Sequence, residues 1–259
     1  MDSLAAADET EFPLARWAAL LERHRLCAPR GFDSACTLSQ IFEPLLGTAP
    51  LVIGQLGQSL DGRIATRTGH SHYINGAAAL THLHCLRALV DGVLVGAGTV
   101  IADDPLLTVR HVPGGQPARI VLDPNGRVPN SARLWHTPGR RIALQRGSIP
   151  RPEGVESLAL PGAPGEPIAP GDILALLRKA GITRVLVEGG ATTLSHFLAA
   201  GVLDRLHLLI GPLIIGSGLP GLTLPPIDHL DGAIRPVTRS YPLCGGDIVI
   251  DCAFSGRDE

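Results

Sequence analysis

Two hydrophobic patterns alternate along this 259-residue chain. Short, mainly apolar runs, which read as strands of a buried sheet, occur at 51–56, 92–96, 119–123, 141–144, 184–188 and 205–211. A weaker run lies at 155–160. Two later runs, 235–241 and 247–254, are close enough to pair as an antiparallel edge through residues 243–246. Between the strands the period changes to that of helices. Residues 77–90 are expected to be helical, with Asn75 as the cap and Leu80, Leu83, Leu86 and Leu89 on the apolar side. Gly171 or Asp172 can start a helix that Gly181 stops, and Gly189-Gly190 turns a strand into a helix over 191–200.

Residues 1–48 follow a different pattern. Pro13 opens a helix to about Leu26, and a weaker one is expected over 37–45. This stretch is read as an N-terminal helical extension, docked on a domain of 49–259. Strand–helix–strand order with right-handed crossovers gives an α/β fold in three layers, α/β/α. Its sheet is expected to be mixed and mostly parallel, with the antiparallel pair at its C-terminal edge.

Composition narrows the function. Net charge is −2 and aromatic residues make up only 3%. A nucleic-acid surface needs a basic stripe or stacking rings, so none is expected. Five cysteines with no C-x-x-C pair argue against a disulfide framework or structural zinc, and favour buried free thiols in a reducing cytoplasm. The start, MDSLAAADETEF, lacks the basic and apolar regions of a leader. The longest apolar stretch, 203–216, is broken by Asp204, Arg205, His207 and Pro212, so no membrane span is expected.

Open α/β sheets bind ligands on loops at the C-terminal ends of their strands. Two such loops suit an anion. Val95-Gly96-Ala97-Gly98-Thr99-Val100 is either a tight turn or a nucleotide loop; Ile101 stands where a full G-x-G-x-x-G has its third glycine. Val187-Glu188-Gly189-Gly190-Ala191-Thr192-Thr193 opens a helix with backbone N–H groups and two hydroxyls, which suit a pyrophosphate. Glu188 would repel phosphate, so it must face neutral, donor-rich chemistry. Asp103-Asp104-Pro105-Leu106-Leu107-Thr108-Val109-Arg110 reads as a polar turn, and no metal-ligand set accompanies its carboxylates. The loop from Ser59-Leu60-Asp61-Gly62 to Tyr73-Ile74 has the character of a mobile lid, useful where hydride must be kept from water. No nucleophile elbow, P-loop or zinc-hydrolase pattern occurs.

Taken in order, these runs resemble the reductase half of the bacterial bifunctional deaminase/reductase of riboflavin biosynthesis. The matching segments are Ser59-Leu60-Asp61-Gly62-Arg63-Ile64-Ala65, the run 92–100, Asp103-Asp104-Pro105-Leu106-Leu107-Thr108-Val109-Arg110, Arg119-Ile120-Val121-Leu122-Asp123, Val187-Glu188-Gly189-Gly190 and Pro212-Leu213-Ile214-Ile215-Gly216. The resemblance covers about 50–254 and implies a dihydrofolate-reductase-like fold that uses NADPH to reduce a ribosylaminopyrimidine 5′-phosphate. It implies cofactor contacts at Gly57, Tyr73, Thr99, Asp103, Gly189, Gly190, Ala191, Thr192 and Thr193. It implies substrate contacts at Ser71, Arg87, Leu107, Arg110 and Glu188, with Arg87 and Arg110 toward the phosphate. Asp103 and Glu188 are the catalytic candidates. A homodimer is implied as well.

Two departures widen the substrate question. Tyr73 and Asn75 replace the Trp and Thr/Ser usual in that family, and residues 1–48 lack the zinc ligands of a deaminase. The substrate is then the deaminated pyrimidine, supplied by a separate enzyme, or its diamino precursor. The alternatives are a same-fold reductase of another heterocycle, such as a dihydropteridine, and a non-catalytic nucleotide-binding protein.

Overall fold

A computed structural model describes residues 12–27, 36–163 and 165–254. The leader-free start read from residues 1–11 lies outside them. The first half contains α1 (Leu14–Arg25), α2 (Thr37–Phe42), β1 (Leu51–Ser59), β2 (Arg63–Ala65), α3 (Ala77–Ala88), β3 (Gly92–Gly96), α4 (Ala97–Asp103) and β4 (Ala118–Leu122). A single 3₁₀ turn, Glu43–Leu45, follows α2. The second half contains α5 (Arg133–His136), β5 (Arg141–Gln145), β6 (Glu156–Ala159), α6 (Pro170–Lys179), β7 (Arg184–Glu188) and α7 (Ala191–Ala199). It ends with β8 (Arg205–Gly211), β9 (Leu219–Pro220), β10 (Val237–Pro242) and β11 (Ile248–Ala253).

Nine strands form one sheet in the order β10-β11-β8-β1-β7-β3-β4-β5-β6. Pairs from β8 through β6 are parallel, and β11 joins β8 and β10 antiparallel, as the pattern predicted. Side-chain alternation gives the sheet two apolar faces. Ile53, Val93, Val95, Val121 and Leu186 face α1 to α5, while Val52, Leu94, Ile120, Val185 and Val187 face α6 and α7. The result is the expected three layers.

The extension is fastened by a buried cation. Arg184, at the start of β7, donates to the carbonyls of Leu89 at 3.1 Å and Ala49 at 2.7 Å, and to that of Leu45. Arg184 is 5% exposed, and burial pushes its pKa down. Three carbonyls offset that cost by accepting its donors.

Several details differ from the sequence expectations. Gly76, not Asn75, caps α3, and the Asn75 amide instead donates to the Leu209 carbonyl and to Asp247, both at 3.0 Å. Asp247 also accepts the Gly76 N–H at 2.8 Å, and no side chain caps the helix. Helix α6 starts from Ala169 with Pro170 in its first turn, so neither Gly171 nor Asp172 is its cap. Leu80 is 40% exposed, whereas His82, His84 and Arg87 are buried on α3. The buried side of α3 therefore mixes Ala79, Cys85 and Leu86 with polar side chains that find partners there. Among the cysteines, Cys36, Cys85 and Cys252 are buried thiols but Cys27 and Cys244 are exposed.

The loop after β1 returns to the body through a small second sheet, β2 with β9. Asp61 holds it down, accepting from the Ser59 hydroxyl at 2.6 Å and from the N–H groups of Ile215 at 3.1 Å and Gly216 at 2.7 Å. These donors stabilise the carboxylate and hold its pKa at about 2, against an ordinary 3.8. A depressed acid stabilises the fold fully above its unfolded pKa and loses that contribution as pH falls through the folded one. The Gly216 amide resonance is therefore expected to hold steady from neutral pH to about pH 4 and to shift near pH 2. A midpoint at 3.8 would show that Asp61 is not engaged.

Candidate active site

Strands β3 and β7 are neighbours, so their C-terminal loops lie side by side. The two loops interlock through glycines. A Cβ on Gly190 would come within 2.7 Å of Thr99 Oγ1, and one on Gly96 within 2.6 Å of Thr193 Oγ1. Gly189 and Gly190 both have positive φ, +60° and +66°, which glycine adopts without strain. Gly190 is the N-cap of α7 and contributes no side-chain cap, so the first N–H groups of that helix are not met by a capping side chain. Backbone donors, two threonine hydroxyls and a close glycine surface fit the pyrophosphate of a dinucleotide.

Beside this cradle lies a buried ion pair. Arg87 of α3 donates through Nε to Glu188 Oε2 at 2.8 Å and through Nη2 to Glu188 Oε1. Its Nη1 donates to the Thr108 carbonyl at 2.9 Å. Arg87 is 5% and Glu188 9% exposed. Glu188 ends a strand whose alternate residues face the α3 layer, which aims its carboxylate at the helix. Gln55 is its β1 neighbour in register and is buried too. Arg110 completes the cluster, with Thr108 Oγ1 accepting from its Nη1 at 2.9 Å. Partial burial lowers the Arg110 pKa, nearby Arg87 and Arg133 lower it further, and Glu188 opposes them. The cluster thus joins two guanidinium groups to one carboxylate.

The structure thus brings Arg87, Arg110 and Glu188 together at one cluster, and Thr99, Gly189, Gly190 and Thr193 at the other. It commits Arg87 to Glu188 and Thr108, where the sequence expectation directed it to a phosphate. Gly57 lies against the Asn75 amide, with no room for a side chain. The Leu107 side chain is 1% exposed in the core at φ +55°, so only its backbone is left to meet a ligand. Asp103 is exposed at the end of α4 and has no side-chain partner among the described residues. Its neighbour Asp104 accepts the Arg133 N–H at 2.8 Å. Tyr73 is 93% exposed with φ +69°, its ring 6.2 Å from that of His72. No hydrogen bond among the described residues joins Tyr73 or Ser71 to Glu188, whose side chain is bonded to Arg87. Sequence reasoning missed His84, which accepts the Arg110 N–H at 2.9 Å. The signal was its position one helical turn before Arg87.

No group of three or more His, Cys, Asp or Glu suited to a metal occurs among the described residues. No helix among them is long and apolar enough to cross a membrane.

The chain is similar to known proteins. A riboflavin biosynthesis protein RibD of Aquifex aeolicus is 38% identical over 208 residues, covering 78% of this chain and 57% of that protein. The chain therefore spans little more than half of that relative. The 2,5-diamino-6-ribosylamino-4(3H)-pyrimidinone 5′-phosphate reductase of Methanothermobacter thermautotrophicus is 36% identical over 221 residues, covering 80% of this chain and 99% of that protein. The RibD structure of Acinetobacter baumannii superposes with a TM-score of 0.70 at 28% identity, covering 89% of this chain and 64% of that one. Residues 50–228 match the profile of the RibD C-terminal domain. With this match over most of its length, the chain belongs to the RibD C-terminal domain family.

Proposed function

We propose that this protein is an NADPH-dependent reductase of a ribosylaminopyrimidine 5′-phosphate, forming the ribitylamino product in riboflavin biosynthesis. The observation that carries this reading is the Arg87–Glu188 pair, set between the glycine cradle on one side and Arg110 on the other. The similarity to a diaminopyrimidinone phosphate reductase along nearly its whole length supports it.

The cradle formed by Thr99, Gly189, Gly190, Ala191, Thr192 and Thr193 would hold the NADPH pyrophosphate, with Asp103, Gly57 and Tyr73 along the rest of the cofactor. When bound, the cofactor supplies a hydride to C1′ of the opened ribose. Glu188, kept aimed by Arg87, accepts from N–H groups on the pyrimidine. Arg110 pairs with the substrate phosphate through charge-assisted bonds, each worth about 1.5–3 kcal/mol. Arg87 adds positive charge next to that dianion and keeps Thr108, Val109 and Arg110 close to Glu188. Leu107 and Ser71 contribute backbone and hydroxyl contacts on the substrate side. The loop fastened by Asp61 keeps water from the reacting carbon. The expected setting is the cytoplasm and the expected assembly a homodimer.

The test follows NADPH absorbance with purified protein and each of two substrates, the diaminopyrimidinone and the aminouracil ribosylamino 5′-phosphates. Steady oxidation that requires the phosphate is expected with at least one. Arg110→Ala should raise KM for that substrate about tenfold or more. NADPH that binds without turnover of either would overturn the reading. Turnover of a dihydropteridine instead would favour another heterocycle.

A further inference from the structure

Residues 104–117, which carry Arg110 from α4 to β4, form neither helix nor strand. Within this segment, the Gln116 amide bonds both the N–H and the carbonyl of Val109, at 2.9 and 2.8 Å. From outside, three buried side chains grip its backbone. Arg87 takes the Thr108 carbonyl, His84 Nδ1 accepts the Arg110 N–H at 2.9 Å, and Trp17 Nε1 donates to the Pro113 carbonyl at 2.8 Å.

His84 is fully buried, and its Nε2 has no partner. With Nδ1 accepting, the proton of the neutral ring sits on that unpartnered nitrogen. Burial, then Arg87, His111 and Arg110, hold its pKa at about 3. The ring stays a neutral acceptor, with its centroid 4.5 Å from that of His111. An unmet buried donor costs about 1–3 kcal/mol, and a leucine would fill the space without it. What leucine lacks is an acceptor for Arg110. Trp17 comes from α1, outside the segment that matches the family profile. It is fully buried, edge-on to Phe42 at 5.4 Å and Phe12 at 6.3 Å. Gly114 packs where a Cβ would come within 2.5 Å of the Ala88 Cβ, so the turn beside Pro113 is pressed onto α3.

We infer that His84 and Trp17 are positioning residues for Arg110, and that the N-terminal extension acts in this enzyme as a brace for its substrate-binding segment. The inference rests on the reading of Arg110 as the phosphate contact. A long side chain reports small errors in its backbone, and a displacement of about 1 Å can cost on the order of a hundredfold in rate.

Kinetics on the full chain test this, with NADPH affinity as the measure of an intact fold. His84→Leu removes the acceptor, and His84→Asn places an amide oxygen near the position of Nδ1. His84→Leu should raise KM for the phosphorylated substrate about tenfold, with kcat and NADPH affinity little changed. His84→Asn should restore most of the loss. Trp17→Phe, which keeps a ring and deletes the donor, should raise KM about threefold. In an Arg110→Ala background, His84→Leu should have no further effect, because residues acting through one another are not additive. Equal impairment of the Leu and Asn variants, or a His84→Leu effect undiminished without Arg110, would overturn the inference. A normal KM in Arg110→Ala itself would overturn the reading of Arg110 beneath it, a separately visible result.

Discussion

Arg87→Met is expected to lower the unfolding free energy by about 3–5 kcal/mol and to abolish measurable turnover. The substitution keeps an unbranched side chain on α3 but strands the Glu188 carboxylate, which is 9% exposed. A charge left alone in such a place costs more than the intact pair contributes. The Thr108 carbonyl loses its donor at the same time. Adding Glu188→Gln to Arg87→Met removes the stranded charge, so the double variant should melt above Arg87→Met alone, and it should still not turn over. Thermal or denaturant unfolding with activity in parallel decides the matter. If Arg87→Met unfolds like the parent, the pair is not formed in solution.

Glu188→Gln alone is expected to lose at least tenfold in kcat/KM, about 1.4 kcal/mol of transition-state stabilisation, while NADPH affinity stays within about twofold. The amide keeps the shape of the side chain. It loses the charge that pairs with Arg87 and the second acceptor that a pyrimidine N–H needs. Glu188 is engaged with Arg87 rather than with the turn at Gly189 and Gly190, which is why cofactor binding should survive. A large loss of NADPH affinity with little loss in kcat would instead place Glu188 against the cofactor. Titration by fluorescence alongside steady-state kinetics separates the two.

Much of the architecture was legible because apolar runs buried on both faces cannot be mistaken for helices of this length. β3, β4, β5, β7 and β8 lie within one residue of the expected limits. What was hidden depended on partners far away in sequence. The spacing of Leu80, Leu83, Leu86 and Leu89 marked a face that the core takes up at Leu83, Leu86 and Leu89 but not at Leu80, and it gave no sign that His82 and Arg87 are buried as well. His82 meets His207, 2.9 Å from ring to ring nitrogen across 125 positions, and Arg87 meets Glu188 across 101. No local pattern announces such pairs. Asn75 looked like a cap for the same reason, its amide being claimed by β8 and Asp247. α4 was hidden by its glycine, since Ala97-Gly98-Thr99 reads as a turn until the sheet fixes where it begins. β9 is two residues long and includes a proline, too short for any alternation to show. At the site, the glycine turns and Glu188 could be read from strand–turn–helix order. The mutual grip of Arg87 and Glu188 could not, because it needs β7 to lie beneath α3.

The strand order has a consequence for how the chain reaches this state during synthesis. β1 is among the first strands to leave the ribosome, yet its two neighbours, β7 and β8, end at residues 188 and 211. Its two hydrogen-bonding edges must wait for about 130 and about 150 further residues, or on the order of ten seconds at typical elongation rates. Until then Val52, Ile53 and Leu56 have no sheet to enter. Such long-range closure makes folding slow and leaves nascent chains prone to association. A chain cut before β8 should accumulate as aggregate, and an intact one should gain yield from holdase chaperones that shield β1 until the centre of the sheet arrives.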